Sequence, residues 1–188
     1  MSGNNLEPNK VLIFDIKGPM AHFRKYYTNS SSLSYMFPPR TVITGLIAGL
    51  LGVPSERFRS ENEKIFYEQF DSINCFVAIS IRSKIRKMMQ TLNYYNVEIK
   101  NKSLRYQIPV EILLPIDANQ ILYRIYFFHS DEQRFNALKE RLEKRKYCYP
   151  PYLGISEFLA SIDYVGEGTI AKNPNKKVEL NRDRKSVV

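Results

Sequence analysis

The stretch KVLIFDIKGPMAHFRKYYTNSSSLSYMFPPRTVITGLIAGLLG, residues 10–52, contains three successive patterns. Residues 10–18 alternate between two faces and predict a strand that ends at a Gly-Pro pair. Residues 19–39 contain too many Ser, Asn and Pro residues to form a regular element. Residues 42–51 repeat apolar side chains with helical spacing, and Gly52 supplies the stop. The stretch therefore predicts a strand, a long loop and a helix, in that order.

Small residues form a band along the predicted helix. They are Gly45, Ala48, Gly49 and Gly52. An interior glycine costs a helix up to about 1 kcal/mol relative to alanine. We therefore expect this helix to lie very close to a sheet or to another backbone.

Further strands are predicted where apolar residues alternate or dominate. The segments concerned are 72–83, 108–116, 121–129 and a part of 156–166. Residues 117–119, Asp-Ala-Asn, are predicted to be the turn that joins the second of these strands to the third. Residues 55–71 are polar and mixed, and they give no clear pattern.

A second helix is predicted after the strand 121–129. Ser130 and Gln133 fit a capping box at its start. Phe135, Leu138 and Leu142 form the apolar stripe of a surface helix. The resulting order, βαββαβ, predicts an α+β fold of the ferredoxin-like (RRM-like) kind. This topology hosts many functions, and RNA binding is among the commonest of them.

The size and charge of the chain restrict its class. It has 188 residues, of which 44% are hydrophobic, and this suits one globular domain with an appended tail. Lys and Arg number 28 against 19 Asp and Glu, which gives a net charge of +9. Such an excess favours an anionic partner, either a nucleic acid or, less often, an acidic membrane surface. A ribosome-like or merely soluble basic protein is the alternative that charge alone leaves open.

Cysteine usage and hydropathy indicate a compartment. Cys75 and Cys148 are far apart and fit neither a metal site nor a small disulfide scaffold. A reducing compartment, the cytoplasm, is the simplest interpretation. The polar start MSGNNLEPNK contains no signal core, and the apolar run 42–53 is too short to span a bilayer. We expect a soluble cytoplasmic protein that uses no membrane, metal or cofactor.

The basic residues are segregated along the chain. No Asp or Glu occurs between Ile16 and Ser55, a region that contains Lys17, Arg24, Lys25 and Arg40. Between residues 72 and 110 a single acid, Glu98, stands against Arg82, Lys84, Arg86, Lys87, Lys100, Lys102 and Arg105. Each such cation can neutralise a phosphate, so the pattern indicates a surface that binds nucleic acid.

Aromatic residues lie between the cations of the first region, namely Phe23, Tyr26, Tyr27 and Tyr35. Their rings can stack on bases that are not paired in a duplex. Thr41, next to Arg40, stands at the start of the predicted helix, where free backbone N–H groups can hold a phosphate. A capping role for Thr41 and a core-edge role for the tyrosines are the competing interpretations.

The two histidines are the candidates for acid–base chemistry, and they are His22 and His129. His129 closes an apolar strand, which favours a structural role. His22 lies in the basic region, where it can hydrogen-bond a phosphate or a base without doing chemistry. No triad or paired-carboxylate pattern accompanies either residue, so we expect no catalytic residue. The alternative function is a metal-independent endoribonuclease that processes a precursor RNA.

Three blocks of the sequence resemble a known family. They are FDIKGPMAHFRKYYTNSSSLSYMFPPRTVITGLIAGLLG (14–52), QIPVEILLPIDANQILYRIYF (107–127) and YPPYLGISEFLASIDYVG (149–166). In this order they are similar to the Cas-five family, the RAMP-superfamily subunits of type I CRISPR effector complexes (Cascade). They are most similar to its type I-B members. The Pro-Pro-Arg-Thr helix block and the Pro-Pro-Tyr-Leu-Gly block together make the likeness specific.

The resemblance implies an architecture and a set of partners. It implies a ferredoxin-like RAMP domain over residues 1–166, followed by a basic segment, 167–188. It implies a subunit that binds the 5′ handle of a CRISPR RNA and contacts the backbone (Cas-seven-like) and large (Cas-eight-like) subunits, while target DNA is met indirectly. In that family a β-hairpin thumb projects from the core, and the basic segment 84–107 stands where this thumb is expected.

The residues and the resemblance together give one set of expected RNA contacts. The resemblance selects His22, Phe23, Arg24, Tyr27 and Arg40 for the handle, with Arg82, Arg86 and Lys87 after them. The whole set comprises Lys17, His22, Phe23, Arg24, Lys25, Tyr26, Tyr27, Tyr35, Arg40, Thr41, Arg82, Arg86, Lys87 and Arg105.

The same resemblance bears on catalysis. One branch of the family, in type I-C systems, cleaves precursor RNA with a Tyr, a Lys and a His, of which the last two are adjacent. Neither His22 nor His129 follows a Lys in this chain, so the resemblance implies a non-catalytic subunit. Many relatives continue past the point that corresponds to the final RKSVV. A short form and a truncated chain are therefore both open.

Overall fold

The computed structural model describes residues 10–27, 32–54, 66–95 and 105–170. Its elements, in chain order, are β1 (Lys10–Gly18), β2 (Phe23–Arg24), β3 (Ser34–Tyr35), α1 (Arg40–Leu51), α2 (Phe66–Gln69), β4 (Cys75–Ile81), β5 (Ile85–Tyr95), β6 (Arg105–Pro115), β7 (Ile121–His129), α3 (Glu132–Lys144) and β8 (Ser161–Thr169). Antiparallel sheets with few helices make this a mixed α/β fold, which confirms the predicted combination of strands and helices.

A four-stranded sheet forms the centre of the described part. Its strand order is β4-β7-β1-β8, and every neighbouring pair is antiparallel. β1 follows the predicted alternation, because Leu12, Phe14 and Ile16 share one face and are at most 2% exposed. Phe14 lies opposite Ile125 in the ladder between β1 and β7, so both central strands present apolar side chains to the same core.

Helices α1 and α3 supply the other side of this core. α1 contributes Ile43 and Ile47, and α3 contributes the predicted stripe of Phe135, Leu138 and Leu142, which is confirmed. Burying one such side chain stabilises the fold by about 1.5–3 kcal/mol. Among the helices of the described ranges, none is long and apolar enough to cross a membrane.

The start of α3 differs by one residue from the predicted capping box. The N-cap is Asp131, whose carboxylate accepts hydrogen bonds from the backbone N–H groups of Gln133 and Arg134, at 2.9 and 3.4 Å. Ser130 instead donates from its hydroxyl to the side-chain oxygen of Asn74 at 3.2 Å. Ser and Asp are equally good N-caps, so the local sequence did not decide between these neighbours.

β5 and β6 form a separate antiparallel hairpin. Their register extends from the Ile85–Pro115 pair to the Tyr95–Arg105 pair. The strands predicted at 108–116 and 121–129 both exist, but they do not pair across the predicted turn. β6 pairs with β5, whereas β7 pairs with β1 and β4. Alternation defines the faces of a strand and leaves its partner open, and that is why this pairing was missed.

The small residues of α1 only partly serve the close packing that we expected. A Cβ atom placed on Gly45 or Gly49 would meet no described atom within 4 Å. Both residues line an apolar groove of about 740 Å³ that Tyr149 flanks. Gly52 is different, because its φ is 79° and a Cβ there would lie 2.6 Å from the Cys148 Sγ. Of these three glycines, Gly52 is the one that conformation and packing require.

The opposite face of the four-stranded sheet carries a partly buried ion pair. Arg124 on β7 donates to both carboxylate oxygens of Asp15 on β1, at 2.8 and 2.9 Å. Asp15 is 9% exposed, so a charged partner is needed to offset the cost of removing its carboxylate from water. The bidentate geometry joins the two central strands from the side away from the helices.

Candidate nucleic-acid interface

The basic loop, residues 19–35 with 28–31 outside the described part, lies along the outer edge of β6. Ala21 and Leu113 exchange two backbone hydrogen bonds, at 3.2 and 2.8 Å. Farther along, the N–H of Glu111 donates to the carbonyl oxygen of Ser32 at 2.8 Å. These bonds place the loop beside the β5–β6 hairpin, so loop and hairpin present one continuous surface.

Glu111 connects the basic loop to β5 through its side chain. Its Oε2 accepts a hydrogen bond from the backbone N–H of Ser34 at 2.8 Å. The same oxygen accepts from the ammonium of Lys87, also at 2.8 Å. Lys87 in turn donates to the carbonyl oxygen of Ser34 at 2.9 Å. The three residues form a closed triangle that fixes the second half of the loop against the hairpin.

This environment favours the charged form of Glu111. Burial acts to raise the pKa of its carboxyl. The hydrogen bonds from Lys87 and from the Ser34 N–H, with the positive charge of Lys25, outweigh burial and hold this pKa below the ordinary 4.5. Glu111 is therefore ionised at neutral pH and neutralises the charge of Lys87 locally.

His22 lies beneath the surface of the basic loop and is 3% exposed. Its Nδ1 is 2.8 Å from the carbonyl oxygen of Glu111, and its Nε2 is 2.8 Å from the hydroxyl oxygen of Ser32. A carbonyl oxygen only accepts, so Nδ1 carries the proton and, in the neutral ring, Nε2 accepts from the hydroxyl. Both ring nitrogens are used inside the protein. This placement does not support the expected RNA contact of His22 and gives the residue a positioning role.

Exposed tyrosines lie at the turn of the basic loop. Tyr26 is 90% and Tyr27 58% exposed, and their rings meet edge to face at 5.2 Å. The Lys25 ammonium lies 5.7 Å from the ring centroids of both Tyr27 and Tyr35, within cation–π reach. Exposed rings beside a cation have the chemistry that stacks on unpaired bases. The structure thus brings together Lys25, Tyr27 and Tyr35 out of the expected set.

Phe23 differs from these tyrosines. Its ring is 1% exposed and packs edge-on against Tyr123, with 5.9 Å between ring centroids. A ring inside the core has no face open to a base, so the expected stacking role of Phe23 is corrected to a core role. The sequence did not reveal this, because the neighbours of Phe23 along the chain are polar and basic.

Arg40 has a structural role as well. Its Nη2 donates to the carbonyl oxygens of Phe70 and Asp71, both at 2.7 Å, and of Cys75, at 3.1 Å. The side chain therefore ties α1 to the turn before β4, which does not support the expected phosphate contact. Thr41 is exposed at the same end of α1, but the N-cap is Pro39 and no side chain caps this helix.

The remaining expected contacts are distributed over several elements. Arg24 on β2, Arg82 after β4 and Arg86 on β5 are exposed. Lys17, near the end of β1, forms an ion pair with Asp163 on β8. Arg105 begins β6, and its side chain lies outside the described part.

Glu111 is the residue that sequence reasoning missed. It stands one position past the acid-poor region 72–110, between the buried residues Val110 and Ile112. A lone acid inside an apolar strand is typical of a residue with a defined partner, since an unpaired carboxylate is rarely tolerated there. That signal was present in the sequence, although the identity of its partners was not.

The sequence from residue 11 to residue 186 matches the family described as CRISPR-associated protein (Cas_Cas5). This match extends over nearly the whole chain, so the chain belongs to that family, which the resemblance named as the Cas-five family. A comparison with curated proteins gave no match.

Solved structures of similar fold were also found. A chain of a "CRISPR RNA-guided surveillance complex" aligns with a TM-score of 0.57 and 12% identity, covering 80% of this chain and 60% of that chain. At this identity the likeness shows the fold alone, and the present chain spans 60% of the length of the solved one. Two further likenesses carry no argument because their TM-scores are lower. One is to a structure described as "Cas protein" (TM-score 0.48, 13% identity, 79% of this chain and 58% of that chain). The other is to a functionally uncharacterized protein from Streptococcus mutans (0.41, 15%, 86% and 70%).

Proposed function

We propose that this chain is a non-catalytic RNA-binding subunit of a type I CRISPR effector (Cascade) complex, and that it binds the 5′ handle of the CRISPR RNA. Membership of the Cas-five family supports the CRISPR part of the proposal. The observation that carries RNA binding is the exposure of Tyr26 and Tyr27 beside Lys25, in a region without acids from Ile16 to Ser55.

The proposal gives each exposed group a task. Tyr26 and Tyr27 stack on unpaired bases of the handle, while Arg24 and Lys25 neutralise its phosphates. A chain of similar fold comes from a protein described as an RNA-guided surveillance complex, and we extend that role to this chain. The partners in the proposal are the CRISPR RNA, the backbone and large subunits and, indirectly, target DNA, all in the cytoplasm.

The finer architecture belongs to the same proposal. The sheet order β4-β7-β1-β8, with helices after β1 and β7, supports a ferredoxin-like RAMP core within residues 1–166. The β5–β6 hairpin, inserted between β4 and β7, supports a thumb at about 84–107. The type I-B assignment rests on the sequence resemblance. Of the basic segment 167–188, residues from 171 onward lie outside the described part.

The absence of catalysis is a proposal with a structural argument behind it. Both ring nitrogens of His22 lie 2.8 Å from protein oxygens. In His129, Nε2 lies 2.8 Å from the carbonyl oxygen of Gln69, and Nδ1 accepts from the N–H of Asp131 at 3.0 Å. Neither ring is placed to move a proton of a bound RNA. Incubation of the purified protein with repeat RNA in EDTA should leave the RNA intact, and cleavage would overturn this part.

The test of RNA binding compares two tyrosines of equal exposure. Tyr27 is 58% and Tyr149 59% exposed, but Tyr149 belongs to the lining of the groove beside α1 and not to the basic loop. Loss of one base stack costs about 1–3 kcal/mol, so Tyr27→Ala should weaken binding of the repeat-derived handle by that amount. Tyr149→Ala should leave it unchanged. Equal effects of the two substitutions, in fluorescence anisotropy titrations, would remove the basis of the proposed surface.

A further inference from the structure

Lys87 is held by an acid on the surface that the proposed function assigns to RNA. Its ammonium has three N–H donors, and two of them are directed to Glu111 and to the Ser34 carbonyl, at 2.8 and 2.9 Å. The side chain of Lys87 is 32% exposed and that of Glu111 only 15%, so the pair is partly shielded from water. The next cation along β5, Arg86, lies on the other face of the hairpin because neighbouring residues of a strand point to opposite sides.

We propose that Glu111 is a positioning residue that sets the specificity of the RNA surface. Its carboxylate withdraws the charge of Lys87 from phosphate binding and uses that charge to hold the loop at Ser34. The inference rests on the proposed RNA-binding function and assigns a role to a residue of its site.

The argument begins with charge. A lysine and a glutamate in contact have no net charge as a pair. At physiological salt the electrostatic field of each charge is also screened over about 8 Å, so the pair attracts no distant phosphate. A phosphate that approached Lys87 would also meet the negative charge of Glu111 at 2.8 Å from the ammonium. Lys87 therefore adds nothing to sequence-independent binding, which depends on the number of cations that neutralise phosphates.

The second step concerns geometry. The N–H and the carbonyl oxygen of Ser34 are both bound in the triangle with Glu111 and Lys87. Ser34 precedes Tyr35, whose ring lies beside Lys25, so the triangle fixes the backbone from which this aromatic group projects. Discrimination between RNA sequences requires base contacts in a fixed arrangement, whereas phosphate contacts position the strand without reading it. Glu111 lowers the sequence-independent part of binding and stabilises the part that discriminates.

The experiment measures the salt dependence of binding by the full chain. The probes are the repeat-derived handle and an oligouridylate of the same length. Glu111→Gln retains a side-chain oxygen that can accept from the Ser34 N–H, but it removes the charge that neutralises Lys87. Each phosphate newly neutralised on a single strand steepens log K against log[salt] by about 0.7. We expect this increase for oligouridylate, together with a smaller ratio of handle affinity to oligouridylate affinity.

Three further variants make the result specific. Glu167→Gln removes the acid of the Lys139–Glu167 pair, which is 2.5 Å long and joins α3 to β8. It changes net charge equally and should leave the slope unaltered. Lys87→Gln combined with Glu111→Gln should return the slope to the wild-type value. Lys87→Gln alone should not lower the slope, and this holds as a test if Glu111→Gln fails to fold.

The outcomes distinguish a failure of this inference from a failure of the proposed RNA-binding function. A wild-type slope in Glu111→Gln, with handle binding intact in the wild-type chain, overturns the inference alone. Equal steepening by Glu167→Gln, or a slope about 0.7 shallower in Lys87→Gln, also overturns it. If the wild-type chain binds neither RNA, the proposed function fails and the inference fails with it.

Discussion

The carbonyl oxygen of His22 and the backbone of Gly154 are in direct contact, since a Cβ atom on Gly154 would lie 1.7 Å from that oxygen. Gly154 has a φ of 96°, which L side chains rarely adopt, and the His22 N–H donates to the Leu153 carbonyl at 3.0 Å. The sequence blocks 14–52 and 149–166 therefore meet at one point, and the second block packs against the basic loop at His22.

Gly154→Ala should be strongly destabilising for this reason. The substitution combines an unfavourable φ with a collision between the new Cβ atom and the His22 carbonyl oxygen, and we expect the free energy of unfolding to fall by more than about 3 kcal/mol. Gly166→Ala is the matched control, because φ is 149° there but no described atom lies within 4 Å of the added Cβ. That control should lose about 1–3 kcal/mol from backbone strain alone. Equal losses in urea titrations would contradict the contact.

Arg40→Met separates a structural role of Arg40 from a phosphate contact. The three carbonyl groups that share its Nη2 lose their donor, so the free energy of unfolding should fall by about 2–4 kcal/mol. RNA affinity of the folded fraction should stay the same. Arg82→Met is the control, because Arg82 is exposed and directly follows β4. It should change the free energy of unfolding by less than about 0.5 kcal/mol. A loss of RNA affinity without a loss of stability in Arg40→Met would restore the phosphate contact.

The buried His129 should make stability depend on pH. The residue is 4% exposed, and burial holds the pKa of its imidazole below the ordinary 6.5, against the opposing effect of the Gln69 carbonyl. Protonation would also place a second donor against the Asp131 N–H, which now donates to Nδ1. Because the unfolded chain binds this proton more readily, the contribution of His129 is complete above the unfolded pKa. It is lost as pH falls from 6.5 toward the folded pKa.

The measurement is the free energy of unfolding as a function of pH for the wild-type chain and for His129→Gln. The difference between the two should be constant above about pH 7 and should shrink on acidification below the unfolded pKa. Titrating carboxylates are common to both proteins and cancel. A difference that does not change between pH 7 and pH 5 would show that His129 has the same pKa in both states.

Gly45→Ala should stabilise the isolated chain. Position 45 is inside α1, and a Cβ there meets no described atom within 4 Å, so the helix gains up to about 1 kcal/mol of propensity without a clash. Thermal unfolding would show this as a small rise in Tm. A fall in Tm would contradict the open space around position 45.

Much of the core could be read from the sequence. Leu12, Phe14 and Ile16 on β1 and the stripe of α3 follow periodicities that depend only on local geometry, and such patterns predict faces well. The N-cap failed by one residue because Ser130 and Asp131 are both suitable caps. These features are local, so a local pattern is enough to find them or nearly so.

The site was less predictable because its contacts are long-range. Arg40 donates hydrogen bonds to carbonyl groups 30 to 35 residues later in the chain. No spacing in the sequence predicts that its guanidinium bonds to these protein groups. His22 was expected at the surface because it lies in the basic region, yet its ring is buried and bonds to the Glu111 carbonyl of β6 and to the Ser32 hydroxyl. Tyr26 and Tyr27 are exposed, since a turn between short paired segments leaves its central side chains outside.

The hydrogen bonds between the basic loop and β6 also determine at which stage of synthesis and folding this surface can form. His22 and Glu111 are separated by 89 positions, and Ala21 lies still farther from Leu113. Contacts between residues so distant along the chain form slowly, because a long loop must close before any of them is gained. During synthesis the loop leaves the ribosome well before its partner strand does. The nascent chain therefore displays its tyrosines and cations without their scaffold, and the proposed discrimination between RNAs would be acquired late.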